Sequence, residues 1–223
     1  MIKVFIGYDS NETVAWHVLT HSILKHSTSP VAFIPIARAH IKHLYDKPKQ
    51  GYESTEFSMT RFLVPYLSDY TGWSIFIDCD MLVTSDITEL WNLRDERYSV
   101  MCTKHEYTPS TSTKFLNQKQ SKYEKKNWSS VMMFNNAKCW KLTPKVVSNE
   151  SGMFLHQFKW LPNDNEIGSI PLGWNFLVGE QEPTSELPKL IHYTLGGPYF
   201  NEYHDVDYND AWNKHYYEMI KKS

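Results

Sequence analysis

Residues 72–91, GWSIFIDCDMLVTSDITELW, impose the tightest constraint in the chain. Residues 73–77 form an apolar run of strand length, and Asp78 and Asp80 follow it with Cys79 between them. Side chains alternate faces along a strand, so the two carboxylates share one face and Cys79 takes the other. Two like charges at a buried strand end repel each other and resist desolvation. A cation between them would remove both costs. A second Asp-x-Asp, Asp205–Val206–Asp207, has no apolar run before it and reads as a turn and helix cap.

The rest of the chain alternates strand and helix signals. Residues 3–8 are a short apolar run closed by Gly7, Asp9 and Ser10. Val14, Ala15, Val18, Leu19 and Ile23 then recur at helical spacing over residues 11–25, with Ser10 or Asn11 as the N-cap. Residues 31–36 give the next strand, completing a β-α-β unit with a right-handed crossover. Helices are expected at 58–67 (kinked or stopped by Pro65), at 87–93 from Asp86, at 143–158 broken by Gly152, and at 163–168. A terminal helix is expected near 208–222, with Lys221 and Lys222 at its carboxyl end. Trp212, Tyr216, Met219 and Ile220 would form its packed stripe. Further strands are expected at 98–103, 131–135 and 189–193. Residues 104–127 are polar and lysine-rich and read as a loop. This alternation predicts an α/β sheet with helices on both faces, in a single domain over residues 1–223.

The 223 residues are 41% hydrophobic with a formal net charge of -2, so no nucleic-acid footprint is expected. Three widely spaced cysteines fit reduced thiols rather than a disulfide frame or a zinc site. No apolar run reaches membrane-spanning length, so the expected location is cytoplasmic, with attachment to a membrane surface left open.

In open α/β sheets ligands gather beyond the carboxyl ends of strands. Asp78 and Asp80 lie at one such end, Asp9 and Asn11 at another. Hard oxygen ligands suit Mg²⁺ or Mn²⁺, ions that bridge to substrate phosphates, and a histidine as third ligand favours Mn²⁺.

The strand, the Asp-x-Asp and the following MLVTSDITELW resemble glycosyltransferase family 8, which includes glycogenin and bacterial lipopolysaccharide glycosyltransferases. Other segments resemble the family in the same order. KVFIGYDSN is similar to its first strand, which places Asp9 and Asn11 at the base and ribose. SMTRFLVPYL resembles the helix that offers an arginine to the donor, here Arg61. WSSVMMFNNAKCW resembles the sugar-pocket strand, and the family likeness of the strands around Trp128, Trp160 and Trp174 makes these candidates for ring platforms. NDNEIG resembles the segment beside the transferred sugar, which places Asp164 and Asn165 there. LIHYTLGGPYF resembles the segment carrying the third metal ligand, here His192. Three departures stand out. Trp128 replaces an asparagine, Asn165 replaces a glutamine, and Gly196 and Gly197 stand where a lysine grips the diphosphate.

The resemblance implies a GT-A fold, a Rossmann-like, mixed but mostly parallel sheet. It implies transfer of a sugar from a nucleotide diphosphate sugar, a UDP-sugar by expectation, to an acceptor hydroxyl with retention. The acceptor is left open as glycan, lipid or protein. Asp78, Asp80 and His192 would hold Mn²⁺, with Mg²⁺ as the alternative. Asp9, Asn11, Arg61, Asp78 and the backbone of Gly196 and Gly197 would bind the donor. Asp164 would orient sugar hydroxyls, and Asn165 would support charge at the anomeric carbon. Two other readings remain at this stage: a nucleotide-sugar or glycan-binding module without turnover, and a nucleotidyltransferase. The latter would want a glycine-rich basic loop after the first strand, which GYDSNETVAW lacks.

Overall fold

The computed structural model describes residues 1–51, 53–106 and 124–221. Most of the expected polar loop, residues 107–123, lies outside the described residues, as does Lys222.

Among the described residues, nine strands form two sheets. The larger has six strands in the order β2-β1-β3-β6-β5-β7. These are β1 (Ile2–Tyr8), β2 (Val31–Ala37), β3 (Trp73–Ile77), β5 (Val100–Thr103), β6 (Val131–Asn135) and β7 (Ile167–Ile170). β6 runs against both of its neighbours, and the other three pairs are parallel. β3, β5 and β6 are buried along their whole length. Covered on both faces, such strands read as continuous apolar runs, which is why they were legible. The smaller sheet has β4 (Met81–Val83), β9 (Leu190–His192) and β8 (Phe176–Leu177) in the order β4-β9-β8.

β4 changes the meaning of the Asp-x-Asp segment. Met81 to Val83, where no strand was expected, form a strand of the second sheet. Asp78, Cys79 and Asp80 are therefore the bend by which the chain leaves one sheet for the other. β4 pairs antiparallel with β9, with Met81 opposite His192. That register brings a histidine from far along the chain beside Asp80.

The helices are α1 (Thr13–His26), α2 (Val64–Leu67), α3 (Ile87–Trp91), α4 (Pro144–Asn149), α5 (Gly152–His156) and α6 (Asn209–Ile220). Several boundaries depart from expectation for local reasons. Glu12, not Ser10 or Asn11, precedes α1, and it makes no side-chain cap. Pro65 lies in the first turn of α2, where its missing N–H breaks no helical bond, so it helps begin the helix rather than kink it. Gly152 likewise opens α5; the break falls at Glu150 and Ser151, and Ser151 caps the new helix by accepting from Phe154 N. Asp86 caps α3 as expected, accepting from Thr88 N. Residues 163–168 divide into a short 3-10 turn and the start of β7.

The main core fills the space around the large sheet. A second apolar cluster joins Val18 of α1, Leu82, Phe176 and Ile191 of the small sheet, and Trp212 of α6. Trp212 stacks on Tyr216 with ring centroids 5.4 Å apart. Met219 packs against this cluster, but Ile220 is exposed and lies outside the expected stripe. Among the described residues no helix is long and apolar enough to cross a membrane.

Candidate active site

The bend between β3 and β4 and the end of β9 converge. One donor atom each from Asp78, Asp80 and His192 lies within 4.8 Å of the others, and all three residues are buried. His192 Nε2 is 3.4 Å from Asp80 Oδ2. Backbone bonds hold the ends together: Tyr193 N donates to Asp80 O at 3.0 Å, and Asp78 N donates to Ser130 O at 3.0 Å.

Each ligand has a support. Arg61, 4% exposed, places Nη1 2.8 Å from Asp78 Oδ1. The same Nη1 donates to Ser129 O at 2.9 Å and Nε donates to Ser58 O at 3.1 Å. The guanidinium carbon lies 5.2 Å from the Phe57 ring centroid and 5.1 Å from that of Phe76. Arg61 is thus neither a surface residue nor free to reach outward; it is the counter-ion of Asp78. Burial pushes the Asp78 carboxyl up, Arg61 pulls it down and Asp80 pushes it up again, to about 6.

His192 is oriented by Asn175, which is fully buried. Asn175 Nδ2 donates to Asn127 O at 3.1 Å, so its Oδ1 faces His192 Nδ1 at 2.9 Å. A carbonyl oxygen only accepts, so Nδ1 donates to it and Nε2 is the nitrogen turned toward the carboxylates. Ligating histidines are held this way in metal sites.

The chemistry of the cluster fits a divalent ion. Asp80 Oδ1 is buried without a hydrogen-bond partner, and Asp78 Oδ1 has the Arg61 ion pair but no directed hydrogen bond. Two carboxylates and an imidazole nitrogen form a mixed oxygen and nitrogen donor set of the kind Mn²⁺ accepts.

Other expected residues take different places. Asp9 is buried and holds its own loop: Oδ1 accepts from Asn11 N and Asn11 Nδ2, each at 2.9 Å, and Oδ2 accepts from Glu56 N at 2.9 Å. Asn11 is exposed beside it. Gly196 N donates to Tyr193 O at 2.9 Å, so this N–H is not available for the phosphate cradle expected of it. Gly196 has φ +141°, and a Cβ there would meet the Tyr203 ring at 2.6 Å; one on Gly197 would meet the Tyr199 ring at 2.3 Å. These glycines are required by aromatic packing.

Asp164 and Asn165 do not join the cluster. They are exposed in the 3-10 turn at the amino end of β7, whereas Asp78 follows the carboxyl end of β3, which runs the same way. Asp164 pairs with Lys125 Nζ at 2.6 Å, and Asn165 N donates to the capping Asn163 at 3.0 Å. Good capping chemistry and family likeness coincide in NDNE, and the structure gives the segment the capping part. Trp160 and Trp174 are buried in the core, while Trp128 is partly exposed between Lys104 and Lys125.

Sequence reasoning missed Asn175 and Glu12. Glu12 is 1% exposed and accepts a hydrogen bond from Tyr199 Oη. Burial, then the charge of Asp80, pushes its carboxyl well up. A glutamate at a helix start looks like first-turn dipole chemistry, so nothing in the sequence marked it as buried.

A family model described as glycosyl transferase family 8 matches residues 19–146. A relative from Arabidopsis thaliana, Protein CDI, is 45% identical over 99% of this chain and 88% of its own length. Among solved structures, the bifunctional glycosyltransferase WbbM superposes with TM-score 0.63 at 16% identity, over 98% of this chain and 50% of its own. GlyE of Streptococcus pneumoniae gives 0.63 at 14% identity, over 99% and 60%. The galactosyltransferase LgtC, solved with donor and acceptor sugar analogues, gives 0.60 at 11% identity, over 100% and 98%. The chain spans only half to three-fifths of the length of the first two structures. At these identities the structures speak for the fold, which is that of the GT-A glycosyltransferases.

Proposed function

The chain belongs to glycosyl transferase family 8 and is a glycosyltransferase, and from that premise we propose that it moves a sugar from a UDP-sugar to an acceptor hydroxyl, with retention and with Mn²⁺. The observation that carries the metal-dependent part is the convergence of Asp78, Asp80 and His192 within 4.8 Å, with a buried carboxylate oxygen on Asp80 that has no partner.

In this reading Asp78, Asp80 and His192 hold the divalent ion. A divalent ion held there would supply Lewis-acid stabilisation of the leaving diphosphate. Arg61 keeps Asp78 ionised and in place, and Asn175 keeps His192 Nε2 turned toward the site. Charge builds on the sugar in an oxocarbenium-like state, as in glycoside hydrolysis. Retention follows if the acceptor hydroxyl enters on the face the diphosphate leaves, with a departing phosphate oxygen taking its proton. Asp9 and Asn11 border the donor site through the loop they brace. The parts expected of Asp164, in orienting sugar hydroxyls, and of Asn165, in supporting charge at the anomeric carbon, draw no support from their place in an exposed 3-10 turn. Mg²⁺ satisfies the carboxylates less selectively once an imidazole is in the set.

Mn²⁺ with UDP is expected to raise the melting temperature, because a ligand of the native state stabilises it by about 2.7 kcal/mol at 100 times its Kd. Asp80→Asn is expected to remove the Mn²⁺-dependent part of that shift. An unchanged shift in Asp80→Asn contradicts the proposed metal site. A screen of UDP-sugars for Mn²⁺-dependent hydrolysis then identifies the donor; a thermal shift with no turnover of any nucleotide sugar contradicts the proposed transfer.

A further inference from the structure

Three histidines meet away from the proposed active site. His21 and His26 come from the carboxyl half of α1, and His215 comes from α6. Glu12, whose carboxyl feels the charge of Asp80, stands at the other end of α1. At the rise of a helix His21 and His26 lie roughly 13 and 21 Å further along the axis. His215 is 6% exposed. Its ring centroid is 5.5 Å from that of His21 and 5.4 Å from that of His26. His215 Nδ1 stands 3.3 Å from His21 Nδ1.

Two ring nitrogens that face each other at this distance share either a proton or a metal ion. Zinc holds imidazole nitrogens at about 2.0–2.1 Å in tetrahedral geometry, which sets two of them about 3.3 Å apart and their ring centres about 5 Å apart. The spacings around His215 match that arrangement. When each ring carries its proton on Nε2, both Nδ1 lone pairs point into the gap.

The imidazoles are in the form that ligates. Burial, then the charges of His26 and His21, pulls His215 down to about 4. Burial, then the charge of Lys25, lowers His26 as well. A neutral imidazole gives up no proton on binding a metal, so protons compete little near neutral pH. Lys25, one turn beyond His21, is paired with Glu218, one turn beyond His215. The histidine contact and the ion pair are thus successive rungs between two helices that run the same way. Three donor atoms are not gathered as tightly here as at Asp78, Asp80 and His192. His26 is the last residue of α1, and its ring closes on the other two by rotation. A set of imidazoles suits zinc and disfavours Mg²⁺ and Ca²⁺, which prefer oxygen.

We propose that His21, His26 and His215 form a second metal site, separate from Asp78, Asp80 and His192, that takes Zn²⁺ and clamps α6 to α1. Val18 of α1 and Trp212 of α6 share one apolar cluster with Leu82 and Ile191 of the small sheet, so the clamp steadies the sheet that carries His192. The site does not depend on the transferase reading.

Zn²⁺ is titrated calorimetrically near neutral pH into His192→Gln, which lacks an imidazole of the proposed active site and so isolates the second one. One equivalent is expected to bind. Adding His21→Gln or His26→Gln is expected to weaken that binding tenfold or more. Adding His204→Gln, which removes an exposed histidine elsewhere, leaves it unchanged. Melting temperatures are recorded with and without Zn²⁺; the rise that zinc gives His192→Gln is expected to vanish in both cluster variants. No bound equivalent in His192→Gln, full affinity after His21→Gln or His26→Gln, or an equal loss in His204→Gln overturns the proposal.

Discussion

Arg61 and Asp78 form a buried pair whose members depend on each other. The carboxylate would be costly to bury without the guanidinium, and the guanidinium sits between two phenylalanine rings with its remaining bonds to backbone carbonyls. Removing one partner of such a pair leaves an uncompensated charge. Arg61→Met is therefore expected to lower stability by about 3–5 kcal/mol in urea unfolding; a loss under 1 kcal/mol would show that the pair is not what holds Asp78. Asn175 acts one step further out. Asn175→Ala is expected to weaken Mn²⁺ affinity about 10- to 100-fold by releasing the His192 ring. Titration calorimetry giving the unaltered affinity would remove Asn175 from the site. At this scale the sequence marked the three candidate ligands but not their supports. Asp78 and Asp80 are conspicuous because charge at the end of an apolar run needs a reason, and His192 followed from likeness. Asn175, in a run of ordinary residues, becomes significant only when the second sheet puts Leu177 opposite His192.

Elements repeat the lesson. Long buried strands were legible from their apolar runs. β4 and β8, with three and two residues, have no period to read, and no strand was expected at either place. Pro65 and Gly152 were read as interruptions, yet each falls in the first turn of a helix, where neither costs a helical bond. The GGPYF segment is held by rings: Gly197→Ala would drive a methyl into Tyr199, which hydrogen-bonds Glu12. This variant is expected to lose stability by about 1–3 kcal/mol, the usual range for overpacking; an unchanged melting temperature would show that the segment can yield. On α6, His215 is buried against α1, with His21, His26 and Lys25 facing it and Lys214 and Glu218 on its own helix. Burial, followed by the charge of His26 and His21, pulls its imidazole down to about 4. Between there and the ordinary value near 6.5 the unfolded chain binds a proton that the native chain does not. Stability from this group is thus complete above about pH 6.5 and falls as pH drops toward 4. His215→Phe is expected to flatten the pH dependence of the urea midpoint in that window; an equal slope in both proteins contradicts the assignment.

For the whole molecule, the proposed active site belongs to neither sheet alone. The large sheet supplies Asp78 at the end of a parallel strand, and the small sheet supplies His192. The bend between them supplies Asp80, and the clusters around α1 and α6 press the second sheet into register. The fold class was readable because alternation of strands and helices is a chain-wide pattern. The two-sheet division was not, because it depends on pairings between residues far apart in sequence. A crystal of the protein grown with Mn²⁺ and UDP, measured at the manganese absorption edge, would locate the ion. An anomalous peak is expected, bounded by carboxylate oxygens of Asp78 and Asp80 and by Nε2 of His192. UDP bound with no manganese between those three side chains, or manganese held by other residues, would contradict the proposed metal site.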